Sequence, residues 1–188
     1  MTLATVRCHI DYMSNRTTDA SNVITEETIS CDISGTWSPS IDCIVNNNIQ
    51  NMAMDKPAYQ SSTYINNTAH LATDGIWKTE FSVCTHTDVF VEDTAWWEVD
   101  LLQAYSIRRL KILNRKAEAS RLHDLTVTVG NHTNPLDICA FYKGPGLPEE
   151  IVELNCVPVI VGQYVRITKP NHNGTDDNLT LCQVGIYE

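Results

Sequence analysis

From Trp96 onward, apolar residues recur at every second position over short stretches, and no window carries a sustained apolar stripe at the 3.6-residue helical period. Leu125-Thr-Val-Thr-Val is the clearest case. Its apolar residues alternate and it is β-branched from Thr126 on, as a half-buried antiparallel strand requires. The pattern predicts strands over residues 96–101, 107–114, 125–130, 151–157, 164–169 and 179–187, with Gly, Pro and Asn punctuation between them, as in Lys143-Gly-Pro-Gly-Leu-Pro. Regular spacing of short strands argues for an all-β chain built as a β-sandwich or jelly roll. On either Trp96 or Trp97 the alternation predicts burial, with the other near the surface, and both read as packing residues.

Upstream the pattern fades, because the first part of the chain has too few apolar residues to make a core of its own. The polar, Asn-rich stretch at 44–50 reads as a linker. The expected organisation is a small module over 1–47 and a sandwich-sized domain over 48–188. The first module holds Cys8, Cys31 and Cys43, so disulfides would have to brace it.

Seven cysteines, none in CxxC spacing, argue against zinc and for an oxidising compartment. Five tripeptides, starting at Asn15, Asn66, Asn131, Asn173 and Asn178, fit the N-glycosylation pattern, which points the same way. A secreted, extracellular glycoprotein is expected. The amino-terminal residues show no basic and apolar leader, so Met1 reads as the start of a fragment. No apolar run approaches the roughly 18 residues needed to span a bilayer. A formal charge of -10 disfavours nucleic acid and anionic membranes as partners. The chain has no Gly-x-Ser-x-Gly, no His-Glu-x-x-His and no glycine-rich phosphate loop, and an enzyme is not expected.

Two resemblances sharpen this picture. Cys31-Asp-Ile-Ser-Gly-Thr-Trp-Ser-Pro-Ser-Ile-Asp-Cys43 resembles the end of a sushi (complement control) module, with Gly, Trp, Pro and the last cysteine in order. In that family the cysteines pair first with third and second with fourth. The resemblance therefore implies that Cys8 joins Cys43, that the partner of Cys31 lies upstream of Met1, and that Cys31 is unpaired in this chain.

From Asn51 on, the chain resembles an F-type lectin (fucolectin) domain. The likeness is carried by Asn51-Met-Ala-Met-Asp-Lys-Pro-Ala-Tyr-Gln-Ser-Ser, Ala72-Thr-Asp-Gly75, Cys84-Thr-His86, Trp96-Trp-Glu-Val-Asp-Leu-Leu-Gln103, Asn114-Arg115, Gly162-Gln-Tyr-Val165 and Leu181-Cys-Gln-Val184. It implies a discoidin-like β-sandwich jelly roll that binds L-fucose at loops on one end, with a structural calcium ion nearby. It also implies bridges of Cys84 with Cys182 and Cys139 with Cys156. These would close loops of about 100 and about 17 residues and stabilise by about 4 to 5 and about 3 kcal/mol.

Fucose presents neighbouring hydroxyls, a ring oxygen and a methyl group, so a selective site needs fixed donors and an apolar wall. Arginine supplies donors in rigid geometry, and a neutral imidazole donates from one nitrogen while accepting at the other. The resemblance places these roles on His86, Arg115 and Arg121, with Trp77 and Phe81 as the apolar wall. Where the family has Arg-x-Asp, this chain has Arg115-Lys116-Ala117, so the acid that would orient the basic cluster is missing and Glu118 is the nearest substitute. For calcium, the resemblance nominates Asp74, backbone carbonyls of Leu71, Ile76 and Val83, and Gln183 where the family has an acid. The expected function is a soluble lectin for fucosylated glycans, acting in an oligomer or a multidomain array, in recognition or defence. The other reading is an adhesion module of the same fold that has lost its sugar and binds protein.

Overall fold

The computed structural model describes residues 50–188 except 89–93, 133–135 and 171–176, together with the strands of the first 49 residues. It divides into two compact units, Met1–Gln50 and Asn51–Glu188. In the first, strands β1 (Thr2–Arg7), β3 (Glu26–Cys31) and β4 (Trp37–Ser38) form an antiparallel sheet in the order β1-β3-β4, and β2 (Tyr12–Ser14) pairs with β5 (Cys43–Val45). The pairing expected of Cys8 with Cys43 and the unpaired state expected of Cys31 concern side chains outside the described residues.

The second unit contains β6 (Ala58–Gln60), β7 (Thr94–Leu113), β8 (Leu125–Gly130), β9 (Asp137–Tyr142), β10 (Ile151–Pro170) and β11 (Gln183–Tyr187), all antiparallel. Three single-turn 3-10 helices lie in its loops, at Ala69–Ala72, Phe81–Val83 and Ala119–Arg121. Sheet order is β11-β7-β10-β8-β9, with β6 on β7. The two 20-residue strands, β7 and β10, pair along their whole length and shift register between Asn155 and Ile160 and again between Gly162 and Tyr164. Each was expected as two shorter strands, because the shifts interrupt the alternation.

A shift of register swaps which face a side chain takes. Val152, Leu154 and Cys156 point inward at even positions before the shifts, whereas Val165, Ile167 and Lys169 do so at odd positions after them. On β7 the opposite switch runs from Trp97, Val99 and Leu101 to Leu110 and Ile112. The bent ribbon turns the apolar sides of both halves onto one core, which also takes Leu125, Val127 and Val129 from β8 and Ile186 from β11.

Trp97 is wholly buried, and its indole N–H donates to the Ala69 carbonyl at 2.9 Å, tying the first 3-10 turn to the core. Trp96 faces the other way, under the guanidinium of Arg166, which itself pairs with buried Glu98 at 2.9 Å. Burial pushes the Glu98 carboxyl above its ordinary range and Arg166 opposes that. Cys84 is bridged to Cys182 and Cys139 to Cys156. Among the described residues, no helix is long and apolar enough to cross a membrane.

Candidate functional site

His86 lies on an extended segment held from both sides. Its own amide donates to Asn67 O and its carbonyl accepts from Tyr64 N, while flanking Thr85 and Thr87 donate through their amides to Leu181 O and Leu179 O. The hydroxyls of the same two threonines accept from Leu181 N and Leu179 N at 3.0 Å. The Cys84–Cys182 bridge locks this arrangement next door. Only 5% of His86 is exposed. Its Nδ1 is 2.7 Å from the Thr87 carbonyl, which can only accept, so Nδ1 carries the proton of the neutral ring and Nε2 presents a lone pair. The amide of Asn178, itself buried, is 3.5 Å from that lone pair.

The imidazole is walled by two aromatic rings, Phe81 at 5.4 Å in an edge-on geometry and Tyr64 at 5.1 Å. Phe81 also lies 5.5 Å beneath the guanidinium of Arg115. One ring, 39% exposed, therefore joins the histidine and the first arginine. Trp77 is equally exposed on the same loop, but among the described residues the ring contacts to His86 come from Phe81 and Tyr64.

Arg115 lies two residues past the end of β7, and the intervening, buried Asn114 shapes the loop. The Asn114 amide donates to Ala119 O at 3.0 Å and Leu147 O at 2.9 Å, and its Oδ1 accepts from Arg115 N. Lys116 N donates to Thr79 O, and Thr79 Oγ1 donates to Glu149 Oε1, so the arginine loop is docked on the loop that carries Trp77 and Phe81. Arg121 ends the 3-10 turn of this loop. Glu118, at a left-handed φ of 52°, places its carboxylate 3.7 Å from Arg121.

A second polar cluster sits behind Arg121. His123 faces Asp124 through Nδ1 at 2.9 Å and Asp177 through Nε2 at 3.0 Å, and Asp177 in turn holds Lys169. Lys143 pairs with Asp124. Hydrogen bonds from Lys143 first, then His123, hold the Asp124 carboxyl below its ordinary value. Burial depresses the Lys169 ammonium, and Asp177 offsets part of that effect. Asp177, Asn178 and Tyr64 carried no signal as site residues in the sequence, Asn178 reading there only as a glycosylation tripeptide. Asn66 and Asn131 are exposed as such acceptors should be, whereas Asn178 is buried.

Two of the residues nominated for calcium, Asp74 and Gln183, stand side by side. Gln183 is wholly buried. In the amide orientation that satisfies both ends, its nitrogen donates to Asp74 Oδ1 at 3.2 Å and its oxygen accepts from Gly75 N at 3.2 Å. Asp74 Oδ1 also accepts from Ile76 N at 2.8 Å. A hard dication wants carboxylate and carbonyl oxygens converging on it. With the amide turned the other way the Gln183 oxygen faces Asp74 Oδ1, two oxygens that a cation between them would suit, while the Ile76 carbonyl accepts from Lys78 N. Among the described residues no three His, Cys, Asp or Glu side chains cluster as metal ligands.

Known proteins share this fold. The profile of the NedA-like, galactose-binding domain family matches residues 71–167. The chain belongs to that family. This NedA-like domain is similar to a fucolectin of Anguilla anguilla, 29% identical over 151 residues that cover 73% of the chain and 90% of the relative. Among solved structures it is similar to an F-lectin (fucolectin) from the serum of striped bass, Morone saxatilis, at 28% identity and a TM-score of 0.66, covering 74% of the chain. It is also similar to the lectin domain of lectinolysin complexed with Lewis B antigen, at 27% identity and a TM-score of 0.61, covering 74% of the chain and 96% of that domain. The chain spans 49% of the striped bass protein and 56% of fucolectin-3 from Anguilla japonica. All-β, antiparallel architecture of the discoidin and F-type lectin kind is thus common to the NedA-like domain and these relatives.

Proposed function

We propose that residues 51–188 form a lectin domain, a binding module rather than an enzyme, for fucose-bearing glycans. His86 and the Asn178 amide beside it would meet the sugar's hydroxyls, Arg115 and Arg121 would donate from one edge, and Phe81 with Trp77 would wall the methyl group. The observation that carries the reading is the shared ring: buried His86 and Arg115, 7% exposed, both meet half-exposed Phe81. Donors fixed by burial around an apolar face are what a sugar's alternating hydroxyl and C–H surface needs. The fucolectin relatives and the Lewis B complex of lectinolysin support the fucose assignment.

Glu118 supplies the charge opposite Arg121 that the sequence otherwise lacks in this loop. The cysteine-rich first unit is read as the end of a sushi module, and the whole as part of an extracellular recognition protein. A single shallow sugar site binds weakly, so oligomers or strings of modules would raise avidity. A glycan array on the wild type beside Arg115→Ala and Arg121→Ala tests the proposal. Fucose-dependent signal lost in both variants is expected. Silence of the folded wild type towards every fucosylated glycan would reject it and leave a protein-binding module.

A further inference from the structure

Lys169 occupies an inward position of β10, in the alternation that buries Val165 and Ile167, and it is wholly enclosed. A charged group placed there is costly unless an opposite charge and hydrogen bonds meet it. Asp177 does both: its carboxylate lies 2.5 Å from Lys169 Nζ, and its backbone carbonyl accepts from the same nitrogen at 3.1 Å. The carboxylate has a second task, because Oδ1 is also 3.0 Å from His123 Nε2. Asp177 thereby joins three separate pieces of chain, namely the end of β10, the segment after Arg121, and its own segment leading to Asn178.

The two residues flanking this knot belong to the proposed sugar site. Asn178 follows Asp177 directly and points its amide at His86 Nε2, and Leu179 N is held by Thr87 Oγ1. On the other side, Arg121 precedes His123 by two positions and lies near enough to Lys169 for its charge to disfavour the ammonium. Asp177 thus stands between the histidine half and the second-arginine half of the site. Glu118 is the acid opposite Arg121, whereas Asp177 acts from a different strand connection, through His123 and Lys169.

We propose that Asp177 is the positioning residue of the carbohydrate site: by gripping Lys169 and His123 it sets Asn178 against His86 Nε2 and fixes the Arg121 loop beside it. It acts through these residues and does not touch the sugar. The proposal rests on the lectin reading for its affinity effect, but its structural half stands alone, because the environment of His86 can be read without a ligand.

The test uses the full chain and Asp177→Asn, with L-fucose titrated by calorimetry and the His86 ring nitrogens followed by 15N NMR. Losing one charge-assisted anchor should weaken fucose binding about tenfold. The His86 Nε2 resonance should move, with near-UV circular dichroism still native. Should the lone substitution prevent folding by stranding the Lys169 charge, Lys169→Met combined with Asp177→Asn removes both charges and carries the same expectations. A folded variant with wild-type fucose affinity and an unmoved His86 resonance overturns the proposal. If the wild type binds no fucose, the lectin reading fails and the resonance decides alone: movement upholds the anchoring role, and an unchanged signal ends it.

Discussion

Gln183 turns its amide toward Asp74 and Gly75 from a wholly buried position. A neutral amide can donate to a carboxylate and accept from a backbone N–H at once, which a carboxylate in its place could not do. In that orientation protein groups alone close the turn, and EDTA should then leave the melting temperature of the wild type unchanged in a thermal-shift assay, whereas a fall would assign a cation to the Asp74–Gln183 pair. Gln183→Glu should lower that temperature, by setting two carboxylates face to face, and added calcium should restore it. Asp124 gives a second expectation at this scale. Lys143 and His123 hold its carboxyl below the ordinary value, so its contribution is complete above that value and is lost as pH falls through the lowered one. Melting temperature followed through the acid range should drop more shallowly for Asp124→Asn than for the wild type.

The same scale separates what could be read in the sequence from what could not. His86 and Arg115 were legible because Cys84, the tryptophan pair and Asn114 fix their register along the chain. Tyr64 and Asn178 reach His86, and Asp177 reaches His123, only through pairing across long stretches of sequence, which leaves no local pattern. Gln183 was legible as a position but not as a hydrogen-bonding pair, since that depends on where Gly75 presents its N–H.

At the level of elements, β8 appears at the expected residues, because its alternation of buried and part-buried side chains is unbroken. β9 carried no such signal: Ile138 and Phe141 are exposed and Cys139 is buried, so hydropathy runs against the pleat. The last strand was expected from residue 179 but begins at Gln183, since 179–181 pair instead with the His86 segment. The arginine loop depends on Gly146 as much as on Asn114. A Cβ at Gly146 would lie 2.6 Å from Asn114 Nδ2 and 3.2 Å from Ala119 O. Gly146→Ala should therefore destabilise the domain by about 1–3 kcal/mol in urea denaturation, the usual cost of overpacking. Fucose affinity should fall with it, because Asn114 would release the turn that ends in Arg121.

Across the whole second unit, the two disulfides differ in what they protect. Cys84–Cys182 spans 98 residues and sits beside His86, whereas Cys139–Cys156 spans 17 and links β9 to β10. Replacing both cysteines of the first pair with Ser should cost about 4 to 5 kcal/mol on the loop-entropy account, against about 3 kcal/mol for the second. Only the first replacement should also weaken sugar binding, and calorimetry on the two double variants at a temperature where both remain folded would show it. Fold class was legible at this scale because alternation and turn residues recur throughout. The continuity of β7 and β10 was not, because their register shifts depend on how two distant strands meet.

The inward amide of Asn178 bears on any route of synthesis that passes an oligosaccharide transferase. Oligosaccharide transfer modifies Asn-x-Thr tripeptides in chains that have not yet closed, and Asn178-Leu-Thr180 is such a tripeptide. A branched sugar on that nitrogen has no room against His86. Were the chain made in a secretory cell, its maturation would be a race, and only copies that tuck this asparagine away before the transferase reaches it would become competent receptors for another molecule's sugar.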